Sequence, residues 1–358
     1  MGERQDRFSG TMPVRDALAF DPAPLEAYMR EHVEGFTPPI SIEQFKGGQS
    51  NPTYRLTDGA GKKYVLRRKP PGKLLKSAHA VDREYRVMTA LGQTDVPVPK
   101  TYALCEDESV VGTPFFIMDC VDGRIFWEAT LPNAKREDRP QLYDAMNAAI
   151  AKLHNVDYEA IGLGDYGKPG NYFARQIKRW SSQYLNDEEA GRFDAMDRLI
   201  EWLPENIPDD GDETAIAHGD FRIDNMIMHP TENRVIAILD WELSTLGHPL
   251  SDFAYNCLPY RLPAGIAFGI GGLDLNELNI PSEQDYIAAY CKRTNRDGIP
   301  DMDFYQAFNM FRLAGILHGI LGRVKRGSAS SKHAAAQGNL CDPLANLAWE
   351  QAEKAMKN

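Results

Sequence analysis

The hydrophobic period of this chain changes once, at Asp122-Gly123, and that change limits what the chain can fold into. Before it, apolar and polar residues alternate. Ile40-Ser41-Ile42-Glu43-Gln44-Phe45 reads as a strand, followed by Gly47-Gly48-Gln49-Ser50-Asn51-Pro52, a second strand over 53–57, the turn Asp58-Gly59-Ala60-Gly61 and a third strand over 63–67. Strands joined by loops this short pair antiparallel, so the segment predicts a meander. Residues 78–91 then place Val81, Tyr85, Met88 and Leu91 at helical spacing, with Gly92 as the stop, and strand patterns return at 101–105 and 114–118. After Gly123 the reading is mostly helical, over 141–155, 174–185, 193–203, 283–294, 303–325 and 343–356. One island interrupts it: Met226-Ile227-Met228, a turn at 231–233, and Val235–Leu239 form a hairpin-like pair. The pattern predicts an α+β chain: a small antiparallel-sheet lobe with one main helix over 40–121 and a larger, mostly helical lobe over 122–358. Residues 1–39 are polar and Pro-rich, with one helix around Pro24–Glu34 after Asp21, and read as a lead-in segment. A cleft between two such lobes is a frequent home for a ligand.

Composition removes several function classes. The 358 residues carry 40 Lys+Arg against 51 Asp+Glu, a net charge of −11, which argues against a nonspecific nucleic-acid binder. No apolar run approaches the roughly 18 residues that span a bilayer; the nearest, 265–273, is short and glycine-rich. The polar start lacks the apolar core of a secretory signal, and Asp6 stands where a myristoylation signal wants Ser or Thr. Five scattered cysteines without a CxxC pair fit reduced thiols in a cytosol better than a disulfide scaffold or a zinc site.

Three local patterns carry chemistry. The first is His218-Gly219-Asp220-Phe221-Arg222-Ile223-Asp224-Asn225, with Leu239-Asp240-Trp241 following. The spacing H-x-D-x-x-x-x-N, then an aspartate closing a hairpin, is that of a phosphotransfer loop. Asp220 suits the carboxylate that accepts a hydroxyl proton, while Asn225 and Asp240 suit Mg²⁺. The alternative is a capped turn with Asp220 as the cap. The second pattern is Gly47-Gly48-Gln49-Ser50-Asn51, where absent Cβ atoms let backbone N–H groups approach phosphate oxygens and Ser50 and Asn51 add side-chain donors. The alternative is an ordinary glycine hairpin. The third is Arg67, on one strand face with Val65, and Glu84 on the following helix: a cation braced to grip phosphates, with Arg68 as the choice if the register slips by one. Each pattern is weak alone, but they occur in a fixed order on the elements each role requires.

Together these residues resemble the aminoglycoside phosphotransferase and choline-kinase family, a branch of the bilobed protein-kinase-like fold. The resemblance runs from about Ile40 to Arg326. The loop reads His-Gly-Asp, and the metal aspartate stands in Leu239-Asp240-Trp241-Glu242 without a following Phe-Gly. Within the family, the glycine-loop region, the run from Val65 to Val87 and the run from Asp240 to Tyr255 are most similar to the kinase-like domain fused ahead of acyl-CoA dehydrogenases. The chain ends too early to carry such a dehydrogenase domain, so that activity is not expected of it. The resemblance implies Met118 at the gatekeeper position, Asp119 C=O and Val121 N–H at an adenine-binding hinge, and Asp252 as a buried brace of the catalytic loop. Arg67 departs from the usual lysine but keeps the charge and can bind phosphate bidentately.

The expected activity is ATP- and Mg²⁺-dependent phosphoryl transfer to a hydroxyl of a small molecule in the cytoplasm, with no nucleic-acid or membrane partner. Hydroxyacyl compounds are among the candidate acceptors. Asp224, Trp241 and Glu242 are candidate acceptor contacts, joined by the aromatics Trp180, Tyr172 and Phe173 and the segment 264–273. A nucleotide-binding pseudokinase and an aminoglycoside resistance kinase are the alternatives. The basic run over 62–76, with Lys62, Lys63, Arg67, Arg68, Lys69, Lys73 and Lys76, reads as a solvated strand and loop or as a dock for a second polyanion.

Overall fold

A computed structural model describes residues 9–47, 51–72, 79–209, 213–327 and 334–357. Gly48, Ser50, Lys73, Lys76 and most of the loop expected over 327–331 lie outside the described residues. Contacts divide the chain into two compact units, one of residues 1–152, 157–164 and 222–244, the other of 153–156, 165–221 and 245–358. These divisions cut the sequence differently from the boundaries at 39/40 and 121/122.

The first unit is built on a six-stranded sheet in the order β1-β2-β3-β4-β6-β5, with β1 Thr11–Met12, β2 Ser41–Phe45, β3 Thr53–Thr57, β4 Lys63–Arg68, β5 Thr101–Cys105 and β6 Phe115–Asp119. Every neighbouring pair is antiparallel. Helix α1, Pro22–His32, starts where the sequence signals it, with the Asp21 carboxylate accepting the Ala23 N–H. Leu25 and Met29 of α1 bury against Tyr54, Leu66, Phe115 and Ile117 of the sheet, each such side chain contributing about 1.5–3 kcal/mol of apolar burial. Residues 11–32 therefore belong to the sheet unit as an edge strand and a core helix. The two-residue β1 is too short to leave a period in the sequence. Helix α2, Val81–Leu91, buries Val81, Val87, Met88 and Leu91.

The hairpin 226–228/235–238 also belongs to this unit, with Met226 opposite Ile238. Arg124 and Met228 exchange backbone hydrogen bonds at 2.8 Å, which brings the Gly123 Cα so close that a Cβ there would stand 2.3 Å from the Met228 carbonyl oxygen. Only glycine fits that turn.

The second unit is helical: the end of α3, Arg139–His154, then α4 Tyr172–Asn186, α5 Asp194–Glu205, α6 Pro249–Arg261, α7 Glu283–Thr294, α8 Met302–Lys325 and α9 Cys341–Ala355. Ser282 caps α7, its Oγ accepting the Asp285 N–H. Helix α6 has no counterpart among the expected helices. Residues 249–258 are all buried, so the segment is enclosed on every side and lacks the one-sided period by which helices are recognised. A short ladder pairs 215–217 with 245–247. All five cysteines are free thiols, and only Cys120 is part-exposed. Among the described residues, no helix is long and apolar enough to cross a membrane.

Gly123→Ala should lower the unfolding free energy by about 1–3 kcal/mol, because the added methyl meets backbone that cannot step aside. Urea denaturation of the two proteins measures this directly.

Candidate active site

Strand alternation decides which of two adjacent arginines does what. In β4, Arg67 sits opposite Thr53 and Phe116, and its side chain reaches three carboxylates of the first unit. Its Nε lies 2.9 Å from Glu84 Oε2, and its outer nitrogen lies 2.6 Å from Asp240 Oδ1 and 3.6 Å from Glu242 Oε2. Arg68 projects the other way, donating to the Tyr54 hydroxyl and to the Val111 and Leu18 carbonyls while lying over the Phe20 ring. The braced cation is therefore Arg67, as the alternation predicts, and Arg68 is structural. Val65 shares the face of Arg67 and is buried. Burial opposes the Arg67 charge, but Glu84, Asp240 and Glu242 outweigh it and hold the guanidinium charged. Burial pushes the Glu84 carboxyl up to about 7, against the pull of Arg67 and with added repulsion from Asp240 and Glu242.

Asn51 departs from its expected role. It is fully buried, and its amide nitrogen donates to Glu84 at 3.0 Å and Glu242 at 3.4 Å while its oxygen accepts from His79 Nδ1 at 2.9 Å. Its side chain thus fastens the carboxylate cluster and is not a donor facing phosphate. Burial, then the charges of Arg67 and Lys69, holds His79 below its ordinary pKa.

The hairpin explains how Asn225 and Asp240 meet. Asn225 directly precedes one strand and Leu239-Asp240 directly follows the other, and the Leu239 N–H donates to the Asn225 carbonyl at 2.8 Å. Pairing of 226–228 with 235–238 therefore sets the two residues side by side. Asp240 has φ of +66°, a left-handed backbone that costs a non-glycine residue and is held by its surroundings. Glu242 follows in a short 3₁₀ turn that packs against α2.

Trp241 does not serve as an acceptor contact: its ring is fully buried and its indole N–H donates to Ile238 O at 2.9 Å. Asp224 pairs with Arg222 at 3.2 Å. Met118 is buried at the end of β6, and Asp119 accepts a short hydrogen bond from the Tyr102 hydroxyl. The basic run is dispersed. Lys62 lies over the Tyr64 and Tyr102 rings, Lys63 pairs with Asp122, and Lys69 stands 3.9 Å from Asp82. Among the described residues, none of its members forms a separate cationic patch.

In the second unit, Gly219 has φ of +84°, which glycine adopts without a Cβ penalty, so residues 218–221 turn tightly. Asp252 holds this turn. Its Oδ2 accepts the His218 N–H at 2.7 Å and His154 Nε2 at 3.3 Å, and its Oδ1 accepts the Gly219 N–H at 2.8 Å. The Asp220 N–H donates to His218 Nδ1, and the Asp220 carboxylate accepts from the Tyr255 hydroxyl at 2.6 Å. Buried Arg312 of α8 donates to the Gly219 carbonyl at 2.6 Å. Of the aromatics expected at an acceptor, Tyr172 and Phe173 are buried among Phe304, Tyr305 and Phe308, and Trp180 lies against Gly315 of α8. The glycine-rich segment reaches α6, with the Phe268 ring 6.2 Å from that of Tyr255. Sequence reasoning does not single out Tyr255 or Arg312 as parts of the site. Asp252, Tyr255 and Asn256 stand at i, i+3 and i+4 on one face of α6, a spacing that carries a signal only once the segment is known to be a helix.

An α+β chain whose sheet carries a cation locked to a helix glutamate, and whose hairpin ends in Asn225 and Asp240, is of the kinase-like class. The chain belongs to the phosphotransferase enzyme family, whose model matches residues 41–288, and it is a phosphotransferase. It is 44% identical over 352 residues to acyl-CoA dehydrogenase family member 10 of Mus musculus, covering 96% of this chain and 32% of that protein. The chain thus spans about a third of that relative. A crystal structure of a protein of Ralstonia eutropha JMP134, assigned as an aminoglycoside phosphotransferase, superposes with a TM-score of 0.86 at 54% identity, over 94% of this chain and 99% of that one. The aminoglycoside phosphotransferase APH(4)-Ia, solved as a ternary complex with AMP-PNP and hygromycin B, shares the fold with a TM-score of 0.57 at 16% identity, over 91% and 98% of the two chains.

Two substitutions test the electrostatics. Arg67→Met leaves three carboxylates gathered without their cation and should cost about 3–5 kcal/mol of stability near neutral pH, read by chemical denaturation. Asp252→Asn removes an ionised carboxylate that is held below its ordinary pKa: burial works to raise it, and the His154 and His218 contacts outweigh burial. A depressed folded pKa stabilises the fold above the unfolded value of about 3.9 and loses that contribution as pH falls through the folded value. The stability gap between wild type and Asp252→Asn should therefore be largest near neutral pH and shrink below about pH 4.

Proposed function

We propose that this protein is a Mg²⁺- and ATP-dependent O-phosphotransferase that acts on a hydroxyl group of a small metabolite in the cytoplasm. In this reading residues 40–121 bind the nucleotide and 122–358 carry the catalytic residues and the acceptor site. The observation that most supports it is the 2.6 Å contact between Arg67 and Asp240 beside Glu84. Three residues far apart in sequence, each expected on the element it occupies, gather in one cluster.

Asp220 takes the acceptor's hydroxyl proton and aims its oxygen at the γ-phosphorus; a bond to that oxygen forms as the bond to the ADP oxygen breaks. Asn225 and Asp240 would hold Mg²⁺, and one or two protein oxygens complemented by phosphates and water are the donor set this ion accepts. When bound, the ion neutralises charge on the phosphates. Glu84 keeps Arg67 in place, and the outer edge of its guanidinium grips phosphate oxygens. Gly47, Gly48 and Ser50 cover the phosphates, Asn51 fastens the cluster beneath them, Met118 and Val65 face the base, and Asp119 and Val121 offer it their backbone groups. Asp224 and Glu242 are the acceptor contacts that stay in the reading.

Hydroxyacyl compounds are the acceptors to test first, because the relative of 44% identity is named for acyl-CoA chemistry. A second reading, an aminoglycoside kinase, is favoured by the assignment of the Ralstonia protein at 54% identity. A screen of Mg·ATP consumption across aminoglycosides, amino alcohols, hydroxy acids and hydroxyacyl-CoA thioesters separates them. Asp220→Asn should lower turnover of the accepted substrate by about 10²–10⁴-fold. Turnover that survives this substitution would mean that another group is the base.

A further inference from the structure

Helix α6 meets the catalytic turn residue by residue along one face. Asp252 takes the N–H groups of His218 and Gly219, Tyr255 donates to Asp220, and the Asn256 amide donates to the Phe221 carbonyl at 3.1 Å. Positions i, i+3 and i+4 share a helix face, so a rigid rod holds the whole turn 218–221 in register. Asp252 and Asn256 reach backbone. Tyr255 touches the Asp220 side chain itself. A carboxylate on a single Cβ can rotate about χ1 and χ2, and holding the turn in place leaves that freedom untouched. A phenolic O–H at 2.6 Å removes it, because a charge-assisted O–H···O⁻ bond is short, strong and directional.

Tyr255 is itself fixed. It is 6% exposed, with the Arg312 guanidinium 5.4 Å above its ring and Phe268 at its side. Arg312 also donates to the Gly219 carbonyl, so one cation grips both the turn and the residue that orients its carboxylate. On the reading of Asp220 as the base, we infer that Tyr255 is the positioning residue that sets the direction of its carboxylate, and that Arg312 holds Tyr255 to that task. The chemistry is preorganisation: the lone pair that meets an acceptor hydroxyl is aimed before the acceptor arrives.

Tyr255→Phe removes one oxygen and leaves the ring in its packing. With phosphate release from Mg·ATP to water as the probe, or with the acceptor that the screen identifies, kcat should fall about 10- to 100-fold. KM for Mg·ATP should stay within about twofold, the mark of an interaction that matters after nucleotide binding. A purely structural role would instead lower the melting temperature and move both constants. In a crystal structure of Tyr255→Phe the Asp220 carboxylate should leave its wild-type rotamer. Arg312→Gln keeps a donor for Gly219 while losing the charge over the ring; it should lower kcat in the same direction, and less than multiplicatively with Tyr255→Phe. The inference falls if Tyr255→Phe keeps kcat within about twofold of wild type while Asp220→Asn is inactive, if the carboxylate keeps its rotamer, or if the two substitutions multiply. If Asp220→Asn itself turns over, the assignment of the base fails, and the rotamer seen in the crystal still reports on Tyr255 separately.

Discussion

A guanidinium buried among carboxylates governs the first unit. Arg67 is 8% exposed, and a charge so placed is tolerated only when paired and hydrogen-bonded. Its three partners come from two elements: Glu84 from α2, and Asp240 and Glu242 from the segment after the hairpin. The sheet, the helix and the hairpin are thereby tied at one point by electrostatics as well as by apolar packing. The tie is not symmetric. Glu84 is almost wholly buried, while the Asp240 side chain is about a third exposed. One carboxylate is closed around the cation and the other keeps an exposed side.

The second unit solves a different problem with the same means. A four-residue turn containing a left-handed glycine has backbone groups that no ladder satisfies. Asp252, Asn256 and Arg312 satisfy them from two helices. The buried Asp252 is stabilised by His154, whose other ring nitrogen bonds the Tyr290 hydroxyl at 2.7 Å. The chain of groups runs from α7 through α3 and α6 to the turn. Satisfied networks of this kind in a low dielectric are stiff, and breaking one member strands the rest.

Much of this was legible in the sequence. Amphipathic helices announced themselves, as did the helix after Asp21, the hairpin over 226–239, and the aspartates and asparagine of the motif. Strand alternation put Arg67 on the face of Val65, and the observed register, with Arg67 on Glu84 and Arg68 on Tyr54, decided between the two arginines. What escaped has definite causes. Helix α6 is buried on all sides and shows no period; β1 is two residues long. Asn51 follows a glycine loop, and a sequence cannot tell whether its amide turns outward to a ligand or inward to Glu84. Trp241 sits between two acidic residues of the motif, yet its ring belongs to the core. Neighbours in sequence share a location but not a direction, and direction decides which of them can touch a substrate.

Arg68 carries a consequence for where this fold begins. Its guanidinium is capped by the Leu18 carbonyl and roofed by the Phe20 ring, both upstream of the span 41–288 that the family model recognises. At the other end, Gln351 of α9 accepts from Arg261 of α6. The span that the family model matches is shorter than the stretch whose contacts close the interior, whereas relatives match almost the whole chain. Trimming to residues 41–288 would strip a buried cation of its roof and a buried helix of its neighbour, so a fragment cut at those borders would lose stability before its chemistry could be assayed.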